Sequence, residues 1–205
     1  MPTDTTADDA MNTNEEGVVK RDDEMSEPPS SSAVVRTVLF DYDEDEPAWY
    51  TVNDDVMGGV STSMVTTDAK TQRLVFSGNL SLENNGGFAS IRSQWSDYDL
   101  TGYDGIFLRV RGDGRTYQFR IRTEETGSEI AYATLIETEV GIWKDIYVSL
   151  EEMIPVYRGV IVRRAPALNP GSIRSFGFML ADKQEGEFFL EVETLSAVVA
   201  SHRQV

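Results

Sequence analysis

The feature that most constrains this chain is a repeated two-residue alternation. In Thr116–Arg122, Tyr117, Phe119 and Ile121 fall on one side of an extended backbone and Gln118, Arg120 and Arg122 on the other. Similar short runs recur every ten residues or so: Arg36–Phe40, Arg73–Phe76, Phe88–Arg92, Gly105–Val110, Ile130–Ile136, Ile142–Leu150, Ile173–Leu180 and Glu187–Val199. Gly, Asn and Asp punctuate them, and no long segment of helical period competes. The pattern predicts an all-β fold of about ten strands, an antiparallel two-sheet sandwich of jelly-roll type. Arg111-Gly112-Asp113-Gly114-Arg115 reads as a tight hairpin turn between two neighbouring strands. Ser149–Ile154 reads as one helical turn stopped by Pro155.

The pattern begins only at Val34. Residues 1–32 hold nine acidic and two basic residues, Pro28-Pro29, three consecutive serines and no aromatic side chain. Such a segment buries too little apolar area to offset its ordering entropy, so residues 1–33 are expected to be a disordered acidic tail. It serves either as a solvating leader or as an interaction tail. Residues 34–199 form the expected sandwich domain and 200–205 a C-terminal tail.

Composition removes whole classes of chemistry. The 205 residues contain no Cys and one His, His202, so disulfides, thiolate zinc sites, cysteine nucleophiles and histidine triads are excluded. No cofactor or metal is expected. Asp41-x-Asp43-x-Asp45 begins like a calcium loop, but Glu46 stands where that loop needs glycine. With 18 basic against 35 acidic residues the net charge is −17, which argues against nucleic acid as a partner. Only four of the 18 basic residues are lysines, a balance that suits a salt-rich, halophilic cytosol. No apolar run is long enough to span a membrane, and no secretory or transit signal is evident, so the expected location is cytoplasmic.

Two glycine-rich segments stand out: Trp49 to Ser61, containing Asn53-Asp54-Asp55-Val56-Met57-Gly58-Gly59, and Asn84-Asn85-Gly86-Gly87-Phe88-Ala89-Ser90-Ile91-Arg92. Their residue types are those of irregular loops between strands. Valine at Gly59 or Gly86 is expected to destabilise the fold if either glycine holds a positive φ. Further along come Gly102-Tyr103-Asp104-Gly105, the run from Arg109 to Tyr117, Trp143, Arg158-Gly159, and the run from Phe176 through Asp182-Lys183 to Phe188. In this order the motifs make residues 38–195 resemble the complex I intermediate-associated protein 30 family. The resemblance implies a galactose-binding-like β-sandwich related in shape to carbohydrate-binding modules. It also implies a non-enzymatic role. The family's eukaryotic members are assembly factors that hold intermediates of respiratory complex I, and its plant members act as chloroplast scaffolds. The expected partner is therefore a protein, such as a membrane-complex assembly intermediate, or else a carbohydrate.

Alternation nominates a surface. Phe88, Ser90 and Arg92 share one face of their strand, Phe107, Arg109 and Arg111 one face of theirs, and Gln118, Arg120 and Arg122 one face of a third. If these strands are neighbours, they build an arginine-rich strip fit for carboxylates, phosphates or sugar hydroxyls. The other reading is that these arginines only form surface ion pairs. Candidate binding residues are Asn53, Asp54, Met57, Gly58, Gly59, Ser61, Asn84, Gly86, Gly87, Phe88, Ser90, Arg92, Arg109, Arg111, Asp113, Tyr117, Asp182 and Lys183; no residue is nominated as catalytic. Trp49, Trp95 and Trp143 are assigned to the core.

Overall fold

The computed structural model describes residues 36–40, 42, 49–68 and 70–199. The acidic N-terminal segment, the motif residues Asp41, Asp43 and Asp45, His202 and the C-terminal tail lie outside the described residues.

The described residues form thirteen strands: β1 (Arg36–Val38), β2 (Trp49–Thr51), β3 (Thr62–Asp68), β4 (Arg73–Leu80), β5 (Ala89–Ser93), β6 (Gly105–Gly112), β7 (Thr116–Thr123), β8 (Ala131–Glu137), β9 (Trp143–Ser149), β10 (Ile154–Tyr157), β11 (Val160–Ile161), β12 (Ile173–Leu180) and β13 (Gly186–Val198). They form two antiparallel sheets. The first runs β3-β4-β13-β6-β9, with β1 also paired to β13; the second runs β11-β10-β8-β7-β12-β5-β2. The all-β antiparallel sandwich read from the sequence is therefore the observed architecture. β2, β3, β10 and β11 are additional. The first three residues of the Trp49–Ser61 segment are strand and not loop.

Alternation puts one face of each strand into the core between the sheets. The first sheet supplies Leu74, Phe76, Ile106, Leu108 and Val110, and the second supplies Ile91, Tyr117, Phe119, Ile121, Phe176 and Phe178, all essentially inaccessible to solvent. At the centre, Phe176 stacks on Phe119 (6.1 Å between centroids) and takes Tyr98 and Phe40 edge-on (4.9 and 5.8 Å). β13 stays in the core along its whole length through a bulge. Phe188, Leu190 and Val192 face inward up to the register shift between Val192 and Thr194, beyond which Leu195 and Ala197 do.

Three local expectations are corrected. Arg111–Arg115 joins no hairpin: β6 lies in the first sheet and β7 in the second, so the turn is a crossover between layers. Ser149–Ile154 makes no helix; a non-helical turn at 150–152 leads into β10, which contains Pro155. Of the three tryptophans only Trp49 packs against the core, beside Phe40 and Phe178, whereas Trp95 is 49% exposed and Trp143 lies on the outer face of the first sheet.

Candidate functional site

The two glycine-rich segments meet around one buried carboxylate. Asp54 has no accessible surface. Its Oδ1 accepts from the Ser61 N–H (3.0 Å), and its Oδ2 accepts from the Ser61 hydroxyl (2.6 Å) and the N–H groups of Gly87 (2.7 Å) and Phe88 (3.3 Å). Burial pushes the carboxyl upward, but these hydrogen bonds outweigh it and hold its pKa below the ordinary carboxylate value. A short 3-10 turn, Asp54–Met57, carries the aspartate and ends at Gly58 with φ +90°. Gly59 and Gly86 do not have positive φ; that conformation belongs to their neighbours Gly58 and Gly87. What fixes Gly59 and Gly86 is contact, since a Cβ on either would run into the Asp54 carboxyl, 2.5 Å from Oδ2 in the case of Gly86. Valine at either position is expected to cost about 1–3 kcal/mol by overpacking, read as a lowered denaturant midpoint. An unchanged midpoint would show that the knot is loose.

The other residues of these loops serve the same knot or stand outside it. Asn53 accepts from the Ser63 hydroxyl (2.7 Å), and Ser90 donates to the Val52 carbonyl (2.5 Å). Met57 and Asn84 are exposed, and Asn84 adopts φ +56°.

A second structural lock sits at the crossover. The Arg115 guanidinium donates to both oxygens of Asp182 (2.9 and 2.7 Å) and to the carbonyls of Gly186, Glu187 and Gln184. Asp113 accepts from the buried Tyr117 hydroxyl (3.0 Å) and from the Phe189 N–H (2.8 Å). Asp113, Tyr117 and Asp182 are thus engaged inside the fold, while Lys183 is exposed beside them.

The arginine strip is not one surface. Its arginines divide between the two sheets, which face away from each other. On the first sheet Arg109 pairs with Asp145 (2.8 Å) and Glu193 (2.7 Å), and Arg111 pairs with Glu191. Arg73, Arg109 and Arg111 all lie over the Trp143 ring, 4.9–5.6 Å from its centroid. Phe107 is covered by Arg36 (3.8 Å). On this face the ion-pair reading holds.

The second sheet is different. Register places Tyr50, Arg92, Gly177, Arg120, Ala133 and Ile154 opposite one another in a single row across β2, β5, β12, β7, β8 and β10. Ser90, Met179, Gln118 and Leu135 form the next row. Arg122, two residues beyond Arg120, projects from the same face. Arg120 is 9% and Arg122 3% exposed. Burial, and then the charge of Arg92 nearby, lower Arg120 to a pKa of about 10 and Arg122 to about 9, so both remain protonated at neutral pH. Arg120 donates to the Gln118 side-chain oxygen (3.0 and 2.7 Å) and Arg122 to the Ser128 carbonyl (3.2 Å). Tyr50 and Gly177 were not legible as part of this face, because only strand order brings them beside the arginines.

Fold and surface together define a two-sheet antiparallel β-sandwich whose second sheet is poor in carboxylates. Residues 38–192 match the model of the Complex I intermediate-associated protein 30 family, and the chain belongs to that family. It is 25% identical over 169 residues to the mitochondrial Complex I intermediate-associated protein 30 of Mus musculus (73% of this chain, 52% of that protein). To the Drosophila melanogaster protein of the same name it is 26% identical over 133 residues (58% and 45%). The chain therefore spans about half the length of these curated relatives. Among solved structures, the family 11 carbohydrate-binding module of Clostridium thermocellum cellulase Lic26A-Cel5E superposes with a TM-score of 0.62 at 18% identity, covering 84% of this chain and all of that one. The family 11 module from the same organism in complex with a β-1,3-1,4-mixed-linked tetrasaccharide gives 0.61 at 17% identity, with the same coverage. These likenesses establish the fold.

Proposed function

We propose that this chain is a non-enzymatic binding module that holds a protein partner during assembly of a larger complex, with the outer face of the second sheet as its working surface. The partner is an assembly intermediate of a membrane complex, and the place of action is the cytoplasm. Family membership supports the reading. The observation that carries it is the second-sheet face itself: a row of cationic and small residues that ends in exposed Ile154, with exposed Leu135 and Ile161 nearby. Interfaces of binding proteins combine such arginine and apolar anchors. Among the described residues no helix is long and apolar enough to cross a membrane, and no cluster of three or more His, Asp or Glu is placed to hold a metal.

The test is cross-linked purification from the native host under its own salt, comparing wild type with the face variant Leu135→Glu/Ile154→Glu. Val140→Glu, at an exposed bridge position outside the face, is the control. Proteins recovered with wild type and the control but lost from the face variant support the reading. Identical eluates from all three overturn it.

A second reading, carbohydrate binding, has one observation in its favour: Tyr50 is exposed at the end of the row, offering a ring face of the kind that stacks on sugars. A flat fluorescence titration with mixed-linked glucan oligosaccharides would retire it.

A further inference from the structure

We propose that Arg92, Arg120 and Arg122 form a binding site for a multiply charged oxyanion, a phosphate or a cluster of carboxylates. The inference concerns the same sheet face as the partner reading but does not depend on what the partner is.

The argument starts from what is missing around these side chains in so acidic a protein. The chain has 35 acidic residues against 18 basic ones. Within the seven strands of the second sheet the only acidic residue is Glu137. It lies opposite Thr116, four residues along β7 from Arg120, which is roughly 13 Å of strand. Among the described residues no ion pair involves Arg92, Arg120 or Arg122, whereas Arg73, Arg109 and Arg111 on the first sheet each have a Glu or Asp. With no carboxylate partner among the described residues, and only the Tyr50 hydroxyl hydrogen-bonded to Arg92, the three like charges repel one another, and burial strengthens that repulsion.

The backbone gathers these charges. Arg92 and Arg120 stand opposite the same residue, Gly177, on the strands to either side of it. A Cβ at position 177 would lie 3.6 Å from the Arg92 Cγ and 3.7 Å from the Arg122 Nη1, so both side chains lean over the bare glycine backbone. The Arg122 Nη1 is buried and has no hydrogen-bond partner among the described residues, and the same is true of the Arg92 Nε. A buried guanidinium donor left unpaired costs the native state free energy. An oxyanion seated over Gly177 would supply the acceptors and cancel the repulsion. Arginine suits this task because its planar fork meets phosphate and carboxylate oxygens in pairs.

The full chain is titrated calorimetrically with inorganic phosphate and, separately, with citrate, each against chloride at matched ionic strength. Saturable binding of either anion, weakened at least tenfold in Arg122→Met and in Arg120→Gln, supports the site. Saturation by phosphate alone assigns it to phosphoryl groups, and saturation by citrate alone to carboxylates. Binding that is absent, does not saturate, or is the same in the variants overturns it. Should either variant fail to fold, the Nε–Hε resonances of wild-type Arg92, Arg120 and Arg122 decide: they move on saturation if the site is real, and stay put if it is not. An anion that binds while cross-linking finds no face-dependent partner leaves this site standing and removes the partner reading. The reverse result removes only the anion site.

Discussion

Asp54→Asn is expected to destabilise the fold by about 3 kcal/mol or more, a large share of the stability of an ordinary domain. The carboxylate accepts four hydrogen bonds from three residues of two different loops, and it is fully buried. An amide keeps one acceptor oxygen but turns its NH2 group toward N–H or O–H donors, so at least one buried donor is orphaned. Urea denaturation would register the loss as a lower midpoint with little change in slope. An unchanged midpoint would mean that the loops are held by something else. The pH dependence has a definite sign. The native pKa is depressed, so the stabilisation is complete above the ordinary carboxylate value of 3.8 and disappears as pH falls through the lower native value. The variant should therefore have a shallower acid limb than wild type. It will not be flat, because the pKa of Asp182 is lowered as well, where its hydrogen bonds from Arg115 and the Gln184 N–H outweigh burial.

Arg115→Ala should cost about 3–5 kcal/mol, the range for breaking a buried ion pair by removing one partner. The guanidinium and the Asp182 carboxylate are both nearly inaccessible, and the bond to Asp182 is the main cause holding the Arg115 pKa above its ordinary value. Its loss leaves the buried Asp182 carboxylate with the Gln184 N–H but no guanidinium, and takes a donor from three carbonyls. The double variant Arg115→Ala/Asp182→Ala should lose much less than the sum of the two single changes. Arg111→Ala is the contrast. Its partner Glu191 keeps Arg73 at 3.7 Å, and Arg111 is about a third exposed, so the expected cost is about 1 kcal/mol or less. Thermal melts of wild type, the two single variants, the double variant and Arg111→Ala would rank them, and an equal loss in Arg111→Ala and Arg115→Ala would contradict the distinction.

These two residues also show where reading from sequence stops. Asp54 and the glycines around it are conspicuous as a motif, and glycine next to Asn and Asp invites the thought of a ligand loop. The structure turns that motif inward, because Ser61, Gly87 and Phe88 converge on the carboxylate from separate segments. Arg111 and Arg115 are only four residues apart in one run, yet one lies on an outer face beside Trp143 and the other inside a lock with Asp182. Nothing local distinguishes them.

For the nine strands whose alternation is explicit, strand identity and the inward or outward sense of runs such as Thr116–Arg122 were determined by the sequence alone, because a two-residue period is a property of neighbouring residues. That is why Tyr117, Phe119 and Ile121 face the core and Arg120 and Arg122 do not. Which strands become neighbours was decided only by the tertiary structure, since pairing is made by hydrogen bonds between segments far apart in the chain. That step put β6 in one sheet and β7 in the other, and set Arg92 and Arg120 on either side of Gly177. It gave Arg109 and Arg111 their carboxylates and left Arg92, Arg120 and Arg122 without one among the described residues.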